Sequence, residues 1–218
     1  MAPCSGPAGR QTSTGIAVLS TKPVEGESGL YLSRLLGLFK RRKAPSPAQR
    51  LHALIVQQAR QPVFYATLGV PDTLDGRFEL IALHCFLVMH RLKAEPAGVD
   101  LARELVETMF ADLDASLREM GAGDLGVGKR IKKMGQAFYG RVAAYDTALD
   151  DLTALEAALQ RNLYGTVAAP SAAILAMVGG YVMKCAQFLE KQSISDISSG
   201  FLEFSLIPAG LPPAPSRH

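Results

Sequence analysis

The chain has 218 residues, 48% of them hydrophobic and 20% charged. This balance suits one globular domain with a sizeable core plus tails, and it excludes a chain disordered throughout. The net charge of +3 is too small to imply nucleic-acid binding by itself, so DNA is not an expected partner.

The distribution of charge says more than its total. From Ser28 to Pro71 there is no acidic residue, but there are seven basic ones: Arg34, Lys40, Arg41, Arg42, Lys43, Arg50 and Arg60. From Glu95 to Asp124 the balance inverts, with eight acids against Arg103 and Arg118. Separated fields of this kind suit oriented contact with a partner or an anionic surface. Trp is absent and aromatics make up 7%, so aliphatic side chains must carry the packing. Cys4, Cys85 and Cys185 show no metal-type spacing and cannot all pair with one another, which fits a reducing compartment and structural thiols.

In chain order, residues 1–28 are rich in Gly, Pro, Ser and Thr, have no apolar period, and read as a disordered tail. They lack the apolar core of a secretory signal, while a transit peptide stays open because only Glu25 and Glu27 are acidic there. Residues 29–44 form an amphipathic basic segment. Leu32, Leu35, Leu36 and Phe39 recur at helical spacing, and Lys40, Arg41, Arg42 and Lys43 follow directly. This pattern suits a helix lying in the headgroup layer, its cations meeting anionic lipids at ~1 kcal/mol each. A packed helix with a solvated basic end fits it equally well.

Residues 45–192 read as the folded domain. Ser46-Pro47-Ala48-Gln49 is a helix start, with Ser46 as cap, Pro47 at the first helical position and Gln49 completing a capping box. Leu51, Leu54 and Ile55 give the apolar face, and Pro62 ends it. A second helix is expected over Thr73–Lys93. Its centre, Ile81 to Met89, is apolar all round and should be the most buried element. Further stripes follow at Leu101, Leu105, Met109, Leu113, Leu117 and Met120, ending at Gly121. The next runs Val127, Ile131, Met134, Phe138, Val142 and Tyr145, then Leu152, Leu155, Leu159 and Leu163, and Ser171–Glu190 makes the last helix. The uncharged stretch Val167–Met183 is at the short limit for a membrane span and is broken by Gly179-Gly180, so a buried helix is the preferred reading. Residues 193–218 read as a docked or flexible tail with a short extended segment around Phe201, Leu202 and Phe204. The expectation is an all-α, single-domain bundle of about six helices.

Motifs with catalytic or ligand chemistry are weak. Gly121, Gly123 and Gly126 spell GxGxxG, and Gly123, Gly128 and Lys129 spell GxxxxGK. Both cradle phosphates only after a β-strand, and Arg130 stands where the second motif needs Ser or Thr. A glycine-rich turn between helices is expected there. His84 beside Cys85 gives no reactive pair, because helical neighbours diverge by about 100°; a core histidine next to a buried thiol is expected. Asp112 with Asp114, and Asp150 with Asp151, read as solvated faces. No catalytic residue, cofactor or metal site is expected. What remains is a basic face after Gly128, where Lys129, Lys132, Lys133 and Gln136 lie together with Arg130 at their edge. It is either a solvated face or a contact surface for an acidic or phosphate-bearing partner.

Two stretches carry a resemblance: QPVFYATLGVPDTLDGRFELIALHCFLVMHRL (Gln61–Leu92) and DLDASLREMGAGDLGVGKRIKKMGQAFYGR (Asp112–Arg141). They resemble the ubiquinol–cytochrome c chaperone family over roughly Leu51 to Glu190, more weakly through Phe201. The second is the more specific, through its order of acids, glycine turn, basic run and FYGR ending. Members of this family look after newly made cytochrome b during assembly of the ubiquinol–cytochrome c reductase. The mitochondrial ones act with a small companion protein near the ribosomal exit tunnel and are membrane-associated. The resemblance implies client binding without catalysis, with cytochrome b as client and a companion factor and the ribosome as further partners. Lys129, Arg130, Lys132, Lys133 and Arg141 are the expected partner-contact residues. The implied location is peripheral, on the cytoplasmic face of a bacterial inner membrane or in the mitochondrial matrix at the inner membrane. The residues before Ser28 find no match in the family. A membrane or ribosome adaptor without a client, and a small-molecule enzyme, are the competing readings.

Overall fold

The computed structural model of the protein describes residues 44–119 and 124–207. The tail 1–28, the basic segment with Leu32, Leu35, Leu36, Phe39 and Lys40–Lys43, the turn Met120–Gly123 and residues 208–218 lie outside the described residues.

Helix α1 spans Pro47–Ala59 and starts as expected. The Ser46 hydroxyl accepts from the Gln49 amide at 3.3 Å, and the Gln49 side chain accepts from the Ser46 amide at 2.9 Å. It stops before Gln61, whose ψ of 127° is the extended backbone that a following proline imposes. Pro62 then opens a short helix that the periodicity does not reveal, α2 (Pro62–Ala66), anchored by fully buried Phe64. Gly69, at φ +70°, takes the left-handed conformation that closes this turn.

Helix α3 (Leu74–Lys93) is capped by Thr73, whose hydroxyl accepts from the Gly76 amide at 3.1 Å. Gly76 is required there, since a Cβ would collide with the Pro71 carbonyl oxygen. Every residue from Phe78 to Met89 is buried, because α3 packs against four helices. These are α1, α4 (Val99–Glu119), α5 (Asp124–Ala148) and α7 (Ala172–Glu190). A 3₁₀ turn, Pro96–Gly98, leads into α4. Of the α4 stripe, Leu105, Met109, Leu113 and Leu117 are buried and Leu101 is half-buried. On α5, Val127, Met134, Phe138 and Tyr145 are buried, with Ile131 and Val142 at the margin.

Helix α6 (Leu152–Asn162) is capped by Asp151, whose carboxylate accepts from Thr153 and Ala154. Leu155 and Leu159 point into the core, but Leu152 is 39% exposed, contrary to its place in the stripe. It is the first residue of the helix and lies over Gly179 rather than inside the bundle. Helix α7 has the length and apolarity of a membrane span. It instead buries Leu175, Val178, Tyr181, Val182, Cys185 and Leu189 while packing on α3 and α6.

The start of the C-terminal tail departs from expectation. Ile194–Ser198 is a helical turn, α8, not extended chain, because Ile197 is buried where α8 meets α1. After Gly200 (φ +85°) the chain runs extended to Ile207 and is docked. The Gln192 side chain hydrogen-bonds both backbone groups of Glu203, at 2.7 and 2.9 Å, and Arg50 donates to the Ser199 carbonyl at 2.7 Å. The fold is all-α, with no strand among the described residues.

Candidate functional site

The stretch of α5 from Gly126 to Arg141 and the N-terminal end of α3 line a cleft of about 600 Å³. Its polar wall carries Lys129, Arg130, Lys133 and Arg141 from α5 and Asp75 and Glu79 from α3. Its apolar floor is Phe78, Met134 and Ala137, and Thr166 from the α6–α7 loop stands at one side. The spacing explains which cations converge. Lys129, Lys133, Ala137 and Arg141 repeat every four residues and so climb one face of the helix. Lys132 sits about 60° to the other side of Lys129 and does not line the cleft. The structure therefore brings four of the five expected contact cations together and leaves Lys132 on the outer flank.

The four differ in how they are held. Arg141 makes a bidentate ion pair with Glu79, and its guanidinium lies 5.9 Å from the centre of the Phe78 ring. Both partners are largely buried, with side-chain exposures of 22% and 9%. Burial pushes the Glu79 carboxyl above its usual range, and Arg141 opposes that rise by favouring the carboxylate. Arg130 reaches Asp75 at 3.3 Å in an exposed pair. Lys129 and Lys133 are exposed and have no carboxylate within ion-pair distance among the described residues. Glu79 is the cleft residue that periodicity alone misses. Its signal is a carboxylate directly before an apolar-all-round run, which requires a buried counter-charge.

Gly126 and Gly128 belong to the opening of α5 and not to a turn, so the helix starts earlier than its apolar stripe suggests. The element before that segment is α4, not a strand, and the phosphate-loop reading lacks its geometry. His84 is fully buried. Its Nδ1–H donates to the Leu80 carbonyl at 2.7 Å, leaving Nε2 to accept from the Tyr181 hydroxyl at 2.9 Å. Tyr181 in turn accepts from Gln58 at 2.9 Å. Burial lowers the His84 pKa to about 4 and pushes Cys85 up to about 12. A neutral ring and a protonated thiol make a structural core pair without nucleophilic character. Among the described residues no His, Cys, Asp and Glu side chains gather as a metal-binding group.

The family described as Ubiquinol-cytochrome C chaperone matches residues 66–204, which contain both walls of the cleft. The chain belongs to this family. A Xenopus laevis relative, ubiquinol-cytochrome-c reductase complex assembly factor 1, is 28% identical over 152 residues, covering 69% of this chain and 76% of its own. Protein CBP3, mitochondrial, of Saccharomyces cerevisiae is 28% identical over 155 residues, covering 68% of this chain and 45% of its own. The crystal structure of the Cbp3 homolog from Brucella abortus is 42% identical. It superposes with a TM-score of 0.66 over 79% of this chain and 97% of that one. The ubiquinol–cytochrome c chaperone fold is thus shared with a bacterial protein over nearly that protein's whole length, whereas this chain spans under half of the yeast one.

Proposed function

We propose that the protein is an assembly chaperone for the ubiquinol–cytochrome c reductase, holding newly made cytochrome b without catalysing a reaction. The observation that carries this reading is the family match over residues 66–204. Relatives from frog and yeast bear assembly-factor names or the Cbp3 name. The basic α5 face supports a client contact made through charge. Lys129, Arg130, Lys132 and Lys133 are all exposed within about two turns, while Val127, Met134 and Phe138 fix the opposite side of the helix in the core. Arg141, spent on Glu79, holds the cleft wall in place.

We place the protein on the cytoplasmic face of a bacterial inner membrane. The support is its 42% identity to the Brucella abortus protein against 28% to the frog and yeast ones. Attachment is peripheral, through the basic segment 29–44. In the mitochondrial alternative the same surfaces face the matrix, where a companion factor and the ribosome join.

The test replaces Lys129, Lys132 and Lys133 by Glu, which changes the local charge by six units without touching the stripe. Exposed substitutions move stability by within ~0.5 kcal/mol, so chaperone abundance should hold while cytochrome b accumulation falls. Normal cytochrome b in that variant refutes the basic face as the client contact.

A further inference from the structure

The cleft and the loop beside it have a combination of features that a solvated basic face does not need. Lys129 and Lys133 are one helical turn apart, so their ammonium groups can close on a single anion from two sides. Among the described residues both lack a carboxylate partner, and the Arg130–Asp75 pair next to them is exposed and open to exchange. The same cleft is lined by the apolar side chains of Phe78 and Met134, 4% and 7% exposed, and of Ala137. An anion held here therefore sits with its charge on the lysines and any carbon attached to it on an apolar floor. Beside the cleft, Thr166 belongs to an exposed and uncharged run, Gly165 to Ala169, with Val167 43% exposed. Such a run carries no charge to resist entry into the interfacial layer.

We infer that this cleft binds the phosphodiester headgroup of an anionic phospholipid, giving the folded domain its own membrane contact, separate from residues 29–44. The inference rests on the proposed partner surface and adds a ligand to it: Lys129 and Lys133 meet lipid as well as client, while Lys132 on the outer flank meets protein alone. An acidic peptide would use the same cations, but it has no use for an uncharged apolar loop beside them. That loop is what favours lipid.

The probe is dihexanoyl phosphatidylglycerol below its micelle concentration, titrated into the full chain and followed by amide chemical shifts. Expected are saturable shifts confined to Lys129–Ala137, Asp75–Glu79 and Thr166. Dihexanoyl phosphatidylcholine should leave these amides in place. The variant with Lys129→Gln and Lys133→Gln should bind at least ten-fold more weakly, and Lys132→Gln should match wild type. Equal saturation by inorganic phosphate would reduce the cleft to a general anion site and overturn the lipid assignment. Preference for a Glu-rich peptide over the lipid would overturn it in favour of protein. If the double Gln variant lowers cytochrome b in cells while lipid titration of wild type moves nothing, the client reading stands and the lipid reading falls.

Discussion

Replacing Arg141 with Met isolates the interaction on which the cleft is built. The Arg141 side chain is 22% exposed, pairs through Nε and one terminal nitrogen with the carboxylate of Glu79, whose side chain is 9% exposed, and its guanidinium lies over Phe78. Methionine keeps most of the contact with the ring but leaves Glu79 buried without a counter-charge. Breaking a buried pair costs ~3–5 kcal/mol, and the residual solvent around Arg141 puts this one near the lower end, about 3 kcal/mol. For a domain of this size that lowers Tm by roughly 6–12 °C. The pH dependence has a definite sign. Without Arg141, burial and the neighbouring Asp75 charge both act on Glu79 in the direction that raises its folded pKa above the unfolded value. The folded state then binds more protons across that window, so the variant gains stability relative to wild type as pH falls toward the unfolded carboxylate value. Urea denaturation at neutral and mildly acidic pH measures both effects. Adding Glu79→Gln should recover much of the loss, since the double change removes the unpaired charge. A single variant as stable as wild type, with no pH dependence of the difference, refutes the claim that this pair organises the cleft.

Other outcomes follow from single positions. Phe138 is fully buried and meets Phe110 edge-on at 5.7 Å, so Phe138→Ala should cost ~3–5 kcal/mol in urea denaturation and lower chaperone abundance in cells. Gly140 is exposed within α5, and a Cβ there meets nothing within 4 Å. Gly140→Ala should therefore stabilise by ~0.5–1 kcal/mol, read as a raised Tm. His84 has a folded pKa of about 4 against 6.5 for the free side chain. Its neutral form stabilises the fold above that window, and about 3 kcal/mol is lost as pH falls through it. The pH slope of stability between those values should flatten in His84→Gln.

Most of the scaffold was legible in the sequence because local chemistry and burial pattern agree. Ser46, Thr73, Asp151 and Ser171 each cap the helix that follows, and the apolar run within α3 is the element that four others cover. The misses have physical causes. Short α2 and α8 are too brief for a period to show, and each is held by one buried anchor, Phe64 or Ile197. Leu152 fits its stripe but stands at a helix start, where half of its surroundings are solvent. Lys129, Lys132 and Lys133 are all exposed. Which of them share a cleft depends on where α3 crosses α5, and that is a tertiary fact. Glu79 and Arg141 are 62 residues apart, so their pairing is invisible to any local pattern.

The central claim is tested most directly by placing a photoreactive residue at position 132, on the flank of the basic face. Crosslinking in intact cells, membrane solubilisation and identification of the captured protein then give the answer. Newly made cytochrome b should be captured, and capture should fall when Lys129 and Lys133 are both changed to Glu at unchanged chaperone abundance. Efficient crosslinking to ribosomal proteins or lipid, with no cytochrome b captured while it is being synthesised, would contradict the chaperone reading and leave a surface adaptor in its place.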